Sequence, residues 1–356
     1  MNITFKDILN QKSWVNYERY IEEGIAEYMK NLSDDISHSK KMKKKVRKFI
    51  DANFEPRKIS QDLSEIEKLL ISGKVIGIDG TVAQHKTISG TMAQIGVVAV
   101  NYLNEKIKHS YFISEAKFKT DIEDVGDYLQ SHDSKNKIIS NLVVRAALFY
   151  RERELGLSDN FKDCYKLYHG PLLPFELMMG LGRLRALEYT LAILERLIRD
   201  KKCFSIISRS QNDVFLRLGM ALEPGEYMLL KHTNIGKEIS QNEAFIREDK
   251  WREEEHLRIR HFLNKEASQI SVGIIKISHR PYIFHAHKDC FDIAAQIIAR
   301  DSMFQHEKGF PLLIDYADNL CSTFFKASDF NRIIEYKLAL EGEFLSEMPE
   351  DSLRQK

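Results

Sequence analysis

A mixed α/β protein with a central five-stranded sheet is what this sequence predicts, on three observations. Apolar residues recur at helical spacing through residues 1–70, the period then shortens to strand-like runs between Gly73 and Ser114, and beyond them β-rich segments alternate with helical ones.

The elements follow in order. Tyr17, Tyr20, Ile21, Ile25 and Tyr28 mark one helical face, and Leu63, Ile66, Leu69 and Leu70 another. The apolar run Val75-Ile-Gly-Ile ends at Asp79-Gly80 and reads as a strand entering a turn. Met92–Tyr102 and Ile107–Ser114 are rich in β-branched and aromatic residues and read as two more strands, with Asn104 in the turn between them. A helix is expected from Asp121 to Gly156, interrupted near His132, with Arg145, Leu148, Phe149 and Glu152 on one face. A fourth strand, Asp163–Tyr168, a long helix, Phe175–Asp200, and a fifth strand, Cys203–Ser208, come next. Residues 210–265 are charged and carry no clear period. A hairpin (Ser271–Ile277 with Tyr282–His287), a helix (Asp289–Met303) and a last helix after Pro311 close the pattern. Three antiparallel strands followed by alternating helices and strands is the order of an RNase-H-like core. The expected organisation is a helical N-terminal region (1–70), one RNase-H-like domain (71–330) and a tail (331–356).

The bulk properties narrow the function. The formal charge of +1 arises from 53 Lys and Arg against 52 Asp and Glu, so any contact with a polyanion must be local. Apolar runs such as Ile95–Val100 are too short to span a bilayer, and no membrane partner is expected. Met1–Trp14 lacks a basic stretch leading into an apolar one, so no secretory signal is expected. The four cysteines, Cys164, Cys203, Cys290 and Cys321, are widely spaced, which fits reduced thiols and a cytoplasmic location. No G-x-x-x-x-G-K-[ST] loop occurs. The actin-like phosphate turn has a residue between Asp and Gly that Asp79-Gly80-Thr81 lacks, which argues against nucleotide hydrolysis.

Asp79 leads the candidates for chemistry. A carboxylate at the end of a central strand can project into a cleft and hold a divalent cation against a phosphate. A turn-forming Asp-Gly is the plainer reading. Arg209, just past an apolar strand, has the planar fork that suits a phosphate, or is a solvated strand-end residue. Lys40–Lys48 places its cations opposite a narrow apolar stripe, either facing DNA or facing water. His285 and His287 share a strand face but lack further ligands at supporting spacing, and stay off the site.

The segment Val75–Thr81 with the following strand around Gly96–Val100 resembles the opening motif of the NurA nuclease family. Arg145 with Glu152 on a helix, Tyr168-His169-Gly-Pro-Leu-Leu173, Ile206-Ile-Ser-Arg209 and Phe310-Pro-Leu-Leu-Ile-Asp-Tyr-Ala317-Asp318 continue the resemblance in order over residues 70–325. The resemblance implies a metal-dependent deoxyribonuclease in which Asp79 and Glu152 ligate metal and Arg209 faces phosphate. The chain departs from the family pattern at three places. His169 stands where the family has Asp, Asp318 where it has His, and Phe310 where it has Tyr. The first two departures are complementary, so three carboxylates and one imidazole remain, provided that positions 169 and 318 are neighbours. His169 and Asp318 thus complete the expected metal set. Mixed imidazole and carboxylate donors favour Mn²⁺, with Mg²⁺ as the all-oxygen alternative. The resemblance also implies DNA as substrate, a homodimer, and a HerA-type hexameric translocase ATPase as partner, in DNA end resection or antiviral defence. The competing expectation is a degenerate platform that binds and regulates the ATPase without cleaving DNA.

Overall fold

Residues 25–87, 90–115, 140–181, 184–209, 212–240 and 253–341 are described in the computed structural model of the chain. Helix α1 (Ile25–Asn53) leads through the two-residue strand β1 (Arg57–Lys58) to α2 (Ser64–Ile71). Strands β2 (Val75–Thr87), β3 (Gly90–Val100) and β4 (Lys106–Ser114) make an antiparallel meander. Helix α3 (Asn141–Gly156), β5 (Tyr165–His169), α4 (Phe175–Met178), α5 (Leu187–Asp200) and β6 (Cys203–Ile207) follow. Then come α6 (Asp213–Met220), β7 (Glu226–Asn234), α7 (Ile235–Ser240) and α8 (Glu253–His261). The hairpin β8 (Ile270–Lys276) and β9 (Pro281–His287) precedes α9 (Phe291–Met303), α10 (Leu312–Phe324) and α11 (Ala327–Leu340). Tyr17, Tyr20 and Ile21, and the expected helix start at Asp121, lie outside the described residues.

The five predicted strands form the expected core, in the order β4-β3-β2-β5-β6 with β2, β5 and β6 parallel. The sheet does not stop there. Antiparallel pairing carries it on through β9, β8, β7 and β1 to nine strands. Strand β7 comes from the stretch without a clear period. Its Tyr-Met-Leu-Leu segment is short and flanked by charges, and it is ordered by pairing to β8 more than by its own pattern.

Both faces of the sheet are buried, as the strand period requires. Ile76 and Ile78 of β2, with Val272 and Ile274 of β8, join α3 and α5 in one core. Val75, Leu167, Phe204 and Ile206 join α9 and α10 in the other. Alternate residues of β2, β5 and β6 therefore face α10, and the residues between them face α3. Local chemistry fixes the helices. Ser140 accepts the Val143 N–H at the start of α3, and the Asp301 carboxylate accepts the Leu313 N–H (3.0 Å) at the start of α10. Helix α5 buries Leu187, Leu191, Leu194 and Ile198 on one stripe and ends at Lys201, which is left-handed.

Two expectations are corrected. The helix predicted over Phe175–Asp200 is broken between α4 and α5, where Gly180, Leu181 and Arg185 all take positive φ. The strand expected to turn at Asp79-Gly80 runs on to Thr87, paired with β3 throughout. Gly80 is needed for a different reason. A Cβ there would lie 2.5 Å from Leu148 Cδ1, 2.9 Å from Glu152 Oε1 and 3.1 Å from the Gly96 carbonyl. Its missing side chain admits α3 against the strand. On the other face, a Cβ at Gly96 would fall 2.1 Å from the Phe325 ring, at the end of α10.

Candidate active site

The parallel strands create the site by ending at different places. Ile78 of β2 pairs with Tyr168 of β5, and β5 stops one residue later at His169, while β2 continues on β3. The α10 face therefore opens beside Asp79. By alternation Asp79, His169 and Ser208, at or just past the ends of three adjacent strands, all point to that face.

Their side chains meet. Asp79, only 6 % exposed, accepts the Gly80 N–H at 2.9 Å through Oδ1, and its Oδ2 lies 3.2 Å from His169 Nδ1. The other imidazole nitrogen, Nε2, lies 2.8 Å from Ser208 Oγ. Phe310 packs edge-on against the His169 ring at 5.9 Å, and Cys321 donates to the Asp79 carbonyl at 3.4 Å.

Glu152 arrives from the opposite face. It is 2 % exposed, and its Oε1 occupies the space left by Gly80. Its other oxygen is paired with Arg153, which is wholly buried and also donates to the Pro171 carbonyl (2.5 Å) and the Phe149 carbonyl (3.4 Å). Arg153 thus ties Glu152 to the loop that follows His169.

The electrostatics report the crowding. Burial pushes Glu152 up to about 7, and the Asp79 charge adds to this, against the pull of Arg153 and His169. Burial alone would lower His169, but the hydrogen bond and charge of Asp79, with the charges of Glu152 and Asp318, raise it above its ordinary value. Asp318, exposed on α10, is raised by partial burial and by Asp79, with His169 opposing. Each of the four senses at least two of the others, so positions 169 and 318 are electrostatic neighbours. A cluster of three carboxylates that raises its own pKa values is relieved by a cation, and the donor set suits a hard divalent ion.

Asp79, His169 and Glu152 are brought together, Asp318 stands at the margin, and Arg209 is exposed one residue past Ser208. Among the described residues, no three of His, Cys, Asp and Glu stand as a ready-made ligand group. His285 and His287 lie in the wall of β9 and serve the backbone. His285, driven down to about 4 by burial, accepts the Leu172 N–H at 3.4 Å, and His287 accepts the Asp289 N–H. Two participants escaped the sequence reading. Ser208 was quoted only as Arg209's neighbour, although a hydroxyl at a strand end was visible. Arg153 carried no signal, since Glu-Arg pairs abound on helices.

No protein-family model matches the sequence, and no curated protein matches it. Solved structures do match the fold. The crystal structure of the NurA nuclease from Sulfolobus solfataricus superposes with a TM-score of 0.51 at 10 % identity, covering 90 % of this chain and 98 % of that one. A second NurA crystal structure gives a TM-score of 0.50 at 10 % identity, covering 86 % of this chain and 95 % of that one. The chain has a NurA-like fold. Among its described residues no helix is long and apolar enough to cross a membrane.

Proposed function

We propose that this chain is a divalent-metal-dependent nuclease that hydrolyses phosphodiester bonds of DNA. The observation that carries the reading is the convergence of Asp79, Glu152, His169 and Asp318 where the central strands of a NurA-like fold end. Asp79, Glu152 and Asp318 would hold the ion, with the His169 imidazole beside them, and Mn²⁺ suits that donor mixture better than Mg²⁺. A bound cation there supplies Lewis-acid polarisation of the phosphoryl group and lowers the pKa of a water nucleophile. The protein's own part is to hold Asp79 fixed through Gly80 and His169, to hold Glu152 through Arg153, and to present Arg209 to the phosphate backbone. The reading extends to a cytoplasmic homodimer working with a HerA-type hexameric translocase, in DNA end processing or anti-phage defence.

A specific observation favours a second reading. Glu152 is already paired with Arg153, and His169 with both Asp79 and Ser208, which suits a degenerate platform that docks on the ATPase without cutting DNA. Cleavage of linear DNA across an Mn²⁺ titration, run beside thermal melts, separates the two. A ligand at 100 times its Kd stabilises by about 2.7 kcal/mol, roughly 5–10 °C in Tm for a domain of this size. The nuclease shows that shift and Mn²⁺-dependent cleavage, and both vanish in Asp79→Asn. A wild-type protein with neither refutes it.

A further inference from the structure

Asp79, His169 and Ser208 form one continuous hydrogen-bonded chain, at 3.2 Å and 2.8 Å, across three adjacent strands. A carboxylate only accepts hydrogen bonds, so the imidazole hydrogen sits on Nδ1 and points at Asp79. Nε2 is then left as the acceptor for the Ser208 hydroxyl. This is the polarity of an acid–base–nucleophile triad, recognised by geometry and roles and not by position in sequence. The chain of contacts depends on His169. An aspartate there would offer Ser208 no ring nitrogen and would repel Asp79.

The setting fits a nucleophile. Ser208 is half-buried, just beyond the end of β6, where the backbone leaves the sheet. His169 is held from its other side by Phe310. Asp79 is held by the Gly80 N–H, so the carboxylate that orients the imidazole is itself oriented. Two guanidinium groups border the hydroxyl. Arg280, exposed in the β8–β9 turn, donates to the Ser208 carbonyl at 3.0 Å, and Arg209 is the next residue. Cations beside a nucleophile favour a substrate whose reacting centre carries negative oxygens, as a phosphodiester does. An imidazole with both nitrogens engaged also has no lone pair left for a metal, which separates His169 from the three carboxylates.

We infer that Ser208 is a nucleophile activated by His169 and Asp79, attacking the phosphodiester that the proposed function supplies as substrate. As the Ser208 Oγ–P bond forms, the hydroxyl proton passes to His169 Nε2. The bond from phosphorus to the departing deoxyribose oxygen breaks, and that oxygen takes the proton from Nε2. A water then attacks phosphorus and gives its proton to Nε2. The Oγ–P bond breaks, and Ser208 recovers the proton. The sum is hydrolysis, with one hydroxyl end and one phosphate monoester end, and no other reactant is consumed. Asp79 keeps its charge throughout and steadies the imidazolium.

The inference rests on the phosphodiester substrate but not on the metal, and the test keeps them apart. Full-length protein is mixed with end-labelled linear DNA, with Mn²⁺ or with EDTA, and quenched in denaturant on the millisecond-to-second scale. Peptide mass spectrometry then locates any covalent nucleotide. The expected result is an adduct on Ser208, absent in Ser208→Ala, with hydrolysis by that variant falling roughly 100-fold or more. Ser208→Ala changes a half-buried hydroxyl only, and its urea unfolding midpoint should match wild type. Metal-dependent cleavage that Ser208→Ala leaves at the wild-type rate overturns the inference and leaves the proposed function standing. Loss of rate with no adduct at any quench time also overturns it. An adduct and cleavage that persist in EDTA support the relay and remove the metal from the proposed function. No cleavage under either condition ends both.

Discussion

Replacing Arg153 by Met asks what holds Glu152 in a space with almost no water. The guanidinium is fully buried, pairs with Glu152, donates to the Pro171 and Phe149 carbonyls, and lies 5.1 Å from the rings of both Phe149 and Tyr168. Methionine keeps much of the volume and none of the donors. Removing one partner of a buried ion pair costs about 3–5 kcal/mol. Each lost hydrogen bond to a carbonyl accounts for about 1 kcal/mol of that, whatever residue 152 is. The remainder, about 2 kcal/mol, belongs to the carboxylate left behind. Urea unfolding of wild type, Arg153→Met, Glu152→Gln and the double variant, at pH 8 with EDTA, separates the two parts. Glu152→Gln should destabilise wild type by about 2 kcal/mol, because it strands a buried cation. In the Arg153→Met background the same change should stabilise by about 1 kcal/mol, because it neutralises a stranded anion. An effect of the same sign in both backgrounds, or additivity within about 0.5 kcal/mol, refutes the reasoning.

Two further predictions concern the frame around the site. Burial pushes Asp301 up to about 6 from an ordinary 3.8, so the native state takes up its proton before the unfolded chain does. The charged form therefore costs roughly 3 kcal/mol above pH 6 and nothing below about pH 4. Asp301→Asn should gain on wild type by up to about that amount between pH 4 and pH 7 in chemical denaturation, and a pH-independent difference would count against it. Gly96→Ala should cost about 1–3 kcal/mol, since the added methyl meets the Phe325 ring. Combining it with Phe325→Ala should recover part of that loss, and strict additivity of the two would show that the ring is not the obstacle.

The strands were legible because β-branched runs at Val75, Met92 and Ile107 are long enough to declare their period, and a helix carrying Glu152 was legible for the same reason. Where neighbours decide the conformation, the pattern misled. Asp79-Gly80 has the chemistry of a turn, yet ten further register pairs hold β2 straight from Ile78 to Thr87. Residues 179–186 lack a proline to announce the break between α4 and α5. The pairing of His169 with Asp79 and Ser208 joins residues 90 and 39 positions apart, a relation that only the sheet order creates. The neighbourhood of His169 and Asp318 was legible indirectly, from two departures that make sense only together.

Gly80 and Gly96 have a consequence for how such a protein diverges. They lie on β2 and β3 and serve opposite faces, Gly80 seating α3 and Gly96 seating the end of α10. A drifting lineage can exchange carboxylate for imidazole, or add a hydroxyl, by altering side chains that project into a shared opening. Each such step changes the chemistry and leaves the scaffold alone. A methyl at either glycine moves a helix, and with it every group that helix delivers. Selection on such a chain should therefore hold two hydrogen atoms more tightly than the reactive groups themselves. Ancestry would then be best preserved at positions that take no part in the reaction, while the reaction stays free to change.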